Sequence, residues 1–209
     1  MRSRIEPRPP THGTGRQRGA ALLVVLMMLA VVSLLGAAAV QMAILGERSA
    51  RNDRDDQIAW QAAEAALADA EFDIEGESAT GTGPTRGQVF TGQLNNHDFV
   101  AGCGDEDSGN SWGLCQTAAS GSAPVWQQVD LGGALSVPLG TFTQRHFDHG
   151  SGLRPARAPR YIIEQVSDNG ASADADLSRH SQYRAYRITA IGFGPRESTQ
   201  VVLQSVYRK

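Results

Sequence analysis

Between Arg18 and Glu47 the chain carries no charged side chain. Gly19 follows a basic cluster, and the 27 residues 20–46 then read as one apolar run, "AALLVVLMMLAVVSLLGAAAVQMAILG". As a helix this run is about 40 Å long, more than the ~30 Å of a bilayer's hydrocarbon core. A secretory h-region is usually about 7–15 residues, so the run is long for a simple one. Three devices share this outline: a cleaved secretory signal, an uncleaved single-pass anchor, and a processed subunit that keeps its apolar segment. "GAAAVQMA" offers a signal-peptidase pattern at Ala37 and Ala39, so the first device stays open.

Charge orients the chain. Residues 1–19 hold five Arg and one acid, Glu6, and the rest, with 14 basic and 21 acidic residues, carries −7. A basic leader before an apolar run holds the amino terminus in the cytoplasm and sends the remainder outward. A net charge of −3 over 209 residues gives no general pull toward nucleic acid. An outward location favours oxidation of Cys103 and Cys115 in "CGDEDSGNSWGLC". The simplest reading is a local disulfide, contributing roughly 3 kcal/mol by loop closure. Zinc is a poor alternative, because no second CxxC and no suitably spaced His accompany the pair.

Helical pattern continues past Glu47. No Pro and no Gly interrupt "ERSARNDRDDQIAWQAAEAALADAEFDIE", and Gly76 supplies a stop. Glu47, Arg51 and Asp55 stand four apart. Trp60, Ala63, Leu67, Ala70 and Ile74 recur at 3,4 spacing, predicting a stripe packed on a sheet, with Glu64, Glu71 and Glu75 on another face. The pattern predicts one long helix over 20–75: residues 20–46 form an apolar membrane or filament-core half, and residues 47–75 an amphipathic half. Residues 76–209 form the outer globular domain. Its middle is loop-rich, with short strand candidates at 88–90 and 125–129. Its end reads as three strands: "RYIIEQV" (160–166), "YRAYRITAIGF" (183–193) and "QVVLQSVYR" (200–208). "GPREST" suits a hairpin, and "SDNGASADADLSRHSQ" a polar excursion. The expected class is α+β, a long helix packed on a carboxyl-terminal antiparallel sheet.

These residues carry a resemblance. "RQRGAALLVVLMMLAVVSLLG", "AWQAAEAALADAE", "PRYIIEQV", "YRITAIGFGP" and the terminal "VVLQSVYR" resemble the PilX family of minor pilins of bacterial type IV pili, and "GLC" near Trp126 fits the same style. The resemblance implies a pilin-like fold and insertion in the inner membrane. It implies cutting by a prepilin peptidase between Gly19 and Ala20, with methylation of the new amino terminus. The retained helix then packs into the filament, and the outer domain reaches the cell surface. Implied partners are other minor pilins, the major pilin and a PilY-type tip adhesin, with roles in priming pilus assembly, adhesion and twitching. One departure stands out. Major pilins carry Glu at mature position five, where this chain has Val24. A GspK-type pseudopilin of type II secretion shares that lack, so that system stays open.

Chemistry-bearing motifs are sparse. His146, Asp148 and His149 in "RHFDHG" form no second constellation and read as surface. Asp105 and Asp107 suggest calcium, but Asn110 occupies the glycine position of the EF-hand loop and its twelfth-position Glu is missing. The only lysine, Lys209, rules out a Walker motif, and no G-x-S-x-G elbow occurs. The expectation is a protein that is not an enzyme and needs no cofactor or metal.

Overall fold

The computed structural model describes residues 19–83, 85–91, 97–166 and 185–209. The leader through Arg18, the polar excursion at 167–182 and the first two residues of the predicted second strand lie outside these. Helix α1 spans Ala20–Glu75, the extent that the uninterrupted pattern predicts. It ends in a Schellman motif. Gly76 takes φ +77°, its amide donates to the Asp73 carbonyl (3.1 Å), and the Glu77 amide reaches back to that of Phe72 (2.9 Å). Contacts divide the chain into two compact units, Met1–Ala50 and Arg51–Lys209. Among its described residues the first unit is almost entirely helix, every residue of it exposed.

The second unit is built on one mixed sheet. Strands β3 (Arg160–Val166), β4 (Ala185–Phe193) and β5 (Gln200–Arg208) pair antiparallel in that order. Their alternating β-branched and aromatic residues specify these strands. Two short strands from the loop region extend the sheet: β1 (Leu114–Gln116) lies parallel to β3, and β2 (Val137–Pro138) pairs with it antiparallel. The architecture is α+β, but the sheet is not purely antiparallel. The physical reason is that a long connection separates β1 from β3, so β1 can return to run in the same direction beside it, with Leu114 opposite Ile163 and Gln116 opposite Gln165.

Cores form on both sides of the sheet. Toward α1, Tyr161, Ile163, Tyr186 and Ile188 bury against Ala66, Ala70 and Ile74. On the other side, Ile162, Ile191 and Phe193 meet the disulfide, Val125, Val129 and Leu131. Loop candidates 88–90 and 125–129 are not strands. Gly87–Phe90 is a 3₁₀ turn closed by the Val89 amide on the Arg86 carbonyl (2.9 Å), and Val125–Gln128, α2, is a single helical turn after Pro124. Apolar content made both look extended; local amide closure makes them compact.

The stripe on α1 also needs correction. Ala63, Ala70 and Ile74 are fully buried and Leu67 partly so, but Trp60 is 49% exposed and donates its indole N–H to Glu64 (2.8 Å). The buried face is centred instead on Ala59, Ala62 and Ala66. Gly192 of β4 explains this. A Cβ there would lie 2.1 Å from the Ala59 carbonyl oxygen and 2.3 Å from the Ala63 amide nitrogen. Helix and strand backbones nearly touch, so only small residues fit between them, and indole is turned aside.

Candidate functional site

Two assemblies of side chains distinguish the described chain. One is the apolar half of α1. Ala20 is the first helical residue, directly after Gly19, and Val24 lies in the first two turns, 51% exposed. No acid occupies the first turn. Leu22, Leu26, Leu34 and Met42 are each more than three-fifths exposed, and the helix is long and apolar enough to cross a membrane. An apolar surface of this extent, with none of its residues buried, demands lipid or protein around it.

The other assembly is a set of carboxylates on the sheet-facing side of α1, where each fixes a different part of the second unit. Asp55 accepts from Arg196 of the β4–β5 turn (3.0 Å). Asp69 accepts from the Gly140 amide (2.9 Å) and from the Thr143 hydroxyl. Asp73 takes three contacts from Arg86, the shortest 2.6 Å, and a fourth from the Tyr161 hydroxyl (2.8 Å). At the helix end, Glu75 accepts from Tyr207 (2.7 Å), and Lys209 Nζ caps the Ile74 carbonyl (2.6 Å).

Arg86 and Asp73 are completely buried. The guanidinium also donates to the Asn110 and Trp112 carbonyls, and its Cζ lies 3.8 Å from the Phe142 ring centroid. Every face of this cation is therefore matched, as burial of a charge requires. Burial, with Asp73 adjacent, pushes the Tyr161 hydroxyl well above its usual range, so it stays a donor. Burial also raises the Asp69 carboxyl, and nearby Asp73 adds to this, against the lowering effect of Gly140, Thr143 and Arg145.

Cys103 and Cys115 form a disulfide that ties the preceding loop to β1. His146 Nε2 meets Asp148 (3.1 Å) on an exposed loop, while His149 turns to the Phe147 carbonyl. Asp105 closes a turn with Ser108, accepting its hydroxyl (2.6 Å). Among the described residues no group of three or more His, Cys, Asp or Glu is placed to hold a metal.

Sequence reasoning missed the buried carboxylates. A signal was present: Asp55, Ala59, Ala62, Ala66, Asp69 and Asp73 recur at helical spacing, so three acids share a face with the alanines. Nothing comparable marked Arg86, whose loop position gives no period.

Comparison with known proteins adds the identity of both ends. A family model described as the carboxyl-terminal part of the type IV pilus assembly protein PilX matches residues 111–209, which contain the whole sheet. A second, the PilX amino-terminal model, matches residues 18–68, from the basic cluster through the apolar run and into the amphipathic half. No curated protein and no solved structure matched the chain. With both its helix and its sheet so matched, the chain belongs to the PilX family of type IV pilus assembly proteins.

Proposed function

We propose that the chain is a minor pilin that works by assembly rather than by chemistry. The observation that carries the reading is an α1 that starts at Ala20 and leaves residues 20–46 wholly exposed and apolar. Residues 1–19 are the leader, cut by a prepilin peptidase between Gly19 and Ala20, and the new amino terminus is methylated. The subunit waits in the inner membrane with that terminus inside and residues 76–209 in the periplasm. It then passes into the filament, where small residues Gly36, Ala37, Ala38 and Ala39 allow close helix approach. There it primes assembly with other minor pilins and the major pilin, beneath a PilY-type adhesin at the tip.

Val24 fits a terminal place. A carboxylate in an apolar filament core is costly unless paired. Without one, this subunit offers its own Ala20 ammonium to a neighbour's Glu but accepts none in return. A GspK-type pseudopilin shares this feature, but the two PilX matches support the pilus over the secretion system. The test is complementation of a strain lacking the chain. Surface pili fall on deletion and return with the wild type, while Val24→Glu alters pilus number or the subunit's position. Unchanged pili on deletion would remove the priming role, and an unaffected Val24→Glu strain would remove the terminal one.

A further inference from the structure

Strand β5 is the last of the sheet, paired with β4 alone among the described residues. The hairpin bond from the Gly194 amide to the Thr199 carbonyl (2.8 Å) sets the parity of this ladder. Antiparallel partners alternate between bonded and non-bonded pairs, and Gly192↔Val201 and Ala190↔Leu203 continue the same register. Val201, Leu203 and Ser205 thus direct their backbone groups to β4. The N–H and C=O groups of Val202, Gln204 and Val206 point away from β4, to the side where no described strand pairs. Val202 and Val206 are also 44% and 61% exposed.

Sheets usually blunt such an edge with Pro, Lys, a bulge or a short strand. Strand β5 runs nine residues in unbroken register and contains neither Pro nor Lys. The helix flank beside it is acidic. Trp60, Glu64, Leu67 and Glu71 form one strip of α1 at spacings of four, three and four. This strip faces the β5 side. Gly192, the partner of Val201, stands against Ala59 and Ala63 at one end, and Tyr207 bonds Glu75 at the other. Neither Glu64 nor Glu71 has a cation within ion-pair distance among the described residues; Glu64 only accepts from Trp60.

We propose that the open edge of β5 binds an extended segment of a partner protein that alternates apolar and basic residues. Its backbone continues the ladder through Val202, Gln204 and Val206. Its apolar side chains cover Val202 and Val206 on the outer face. Its basic side chains turn to the helix, where their stems lie on Trp60 and their charges meet Glu64 and Glu71. A second copy of β5 does not fit, because its helix-facing side chains are Val201, Leu203, Ser205 and Tyr207, none of them basic. The proposal stands on β5 and α1 and is independent of the pilus reading.

The test uses the full chain in detergent micelles and two labelled nine-residue peptides, one alternating Val with Lys and one alternating Val with Glu. Binding is read by fluorescence anisotropy, and the edge by hydrogen exchange over 200–208. The Val/Lys peptide is expected to bind, to slow exchange in that segment and to weaken with salt, while the Val/Glu peptide does not bind. The double variant Glu64→Lys, Glu71→Lys lowers affinity about tenfold. Val202→Pro, which removes only an outward amide, abolishes binding with the melting temperature little changed. Val206→Lys, which places a like charge beside the peptide, weakens it independently. Absence of binding, or binding indifferent to these variants, overturns the proposal. So does protection of 200–208 that rises with protein concentration without peptide, which would assign the edge to a second copy.

Discussion

The two halves of α1 are one helix with opposite chemistry. Residues 20–46 are uncharged, and every one is exposed. Residues 51–75 are rich in charge, yet three of their aspartates are buried. Hydropathy therefore predicts burial in the wrong direction along this helix. In the second half alanine is buried because it is small enough to let Gly192 approach, and aspartate because each carboxylate has donors waiting from a loop or turn. In the first half the side chains are apolar, large and small alike, and no described residue buries any of them. What each half needs is different: the first needs a surrounding, the second a set of matched contacts.

Breaking the matched contacts should have the largest effect. Arg86→Ala leaves the Asp73 carboxylate buried with Tyr161 as its remaining donor, and should cost about 3–5 kcal/mol in denaturant unfolding. A loss near zero would mean that the buried pair does not hold the loops to the helix. The same kind of disruption in the other half should behave differently. Leu34→Arg should oppose membrane insertion by about 3 kcal/mol, seen as loss from the membrane fraction, while leaving the melting of the sheet-containing unit unchanged.

Acid–base behaviour sharpens the comparison at an intermediate level. The Asp69 carboxyl is raised from its ordinary 3.8 chiefly by burial. The native state therefore holds this proton more tightly than the unfolded chain. Its contribution makes stability fall as pH rises from about 3.8 through the folded value. Asp69→Asn keeps an oxygen to accept from the Gly140 amide and turns an NH2 toward the Thr143 hydroxyl oxygen, but removes that slope, and urea midpoints measured across this window should become flatter. The smallest effect is expected at Trp60. Its indole lies on the exposed flank, so Trp60→Ala should change stability by no more than about 0.5 kcal/mol, whereas a true core tryptophan would cost about 3–5 kcal/mol.

Much of this was legible in the sequence because it depends on local pattern. The extent of α1 follows from an unbroken run without Pro and a terminating Gly76, and the last three strands from their β-branched alternation. Trp60 was misplaced because a 3,4 stripe fixes a face only to within a flank, and the decisive fact, the approach of Gly192, comes from residues far along the chain. The middle was least legible for the same reason. Its loops are fixed by Asp69, Asp73 and the disulfide, which are long-range pairings without a period.

The contrast between the halves bears most on the proposed processing, in which residues 20–46 are kept and 1–19 are removed. The direct measurement is the intact mass of the chain produced with and without a prepilin peptidase. The account predicts loss of residues 1–19 only when the peptidase is present, leaving Ala20 as the amino terminus. An uncut chain in both cases, or a cut after Ala39, would contradict it.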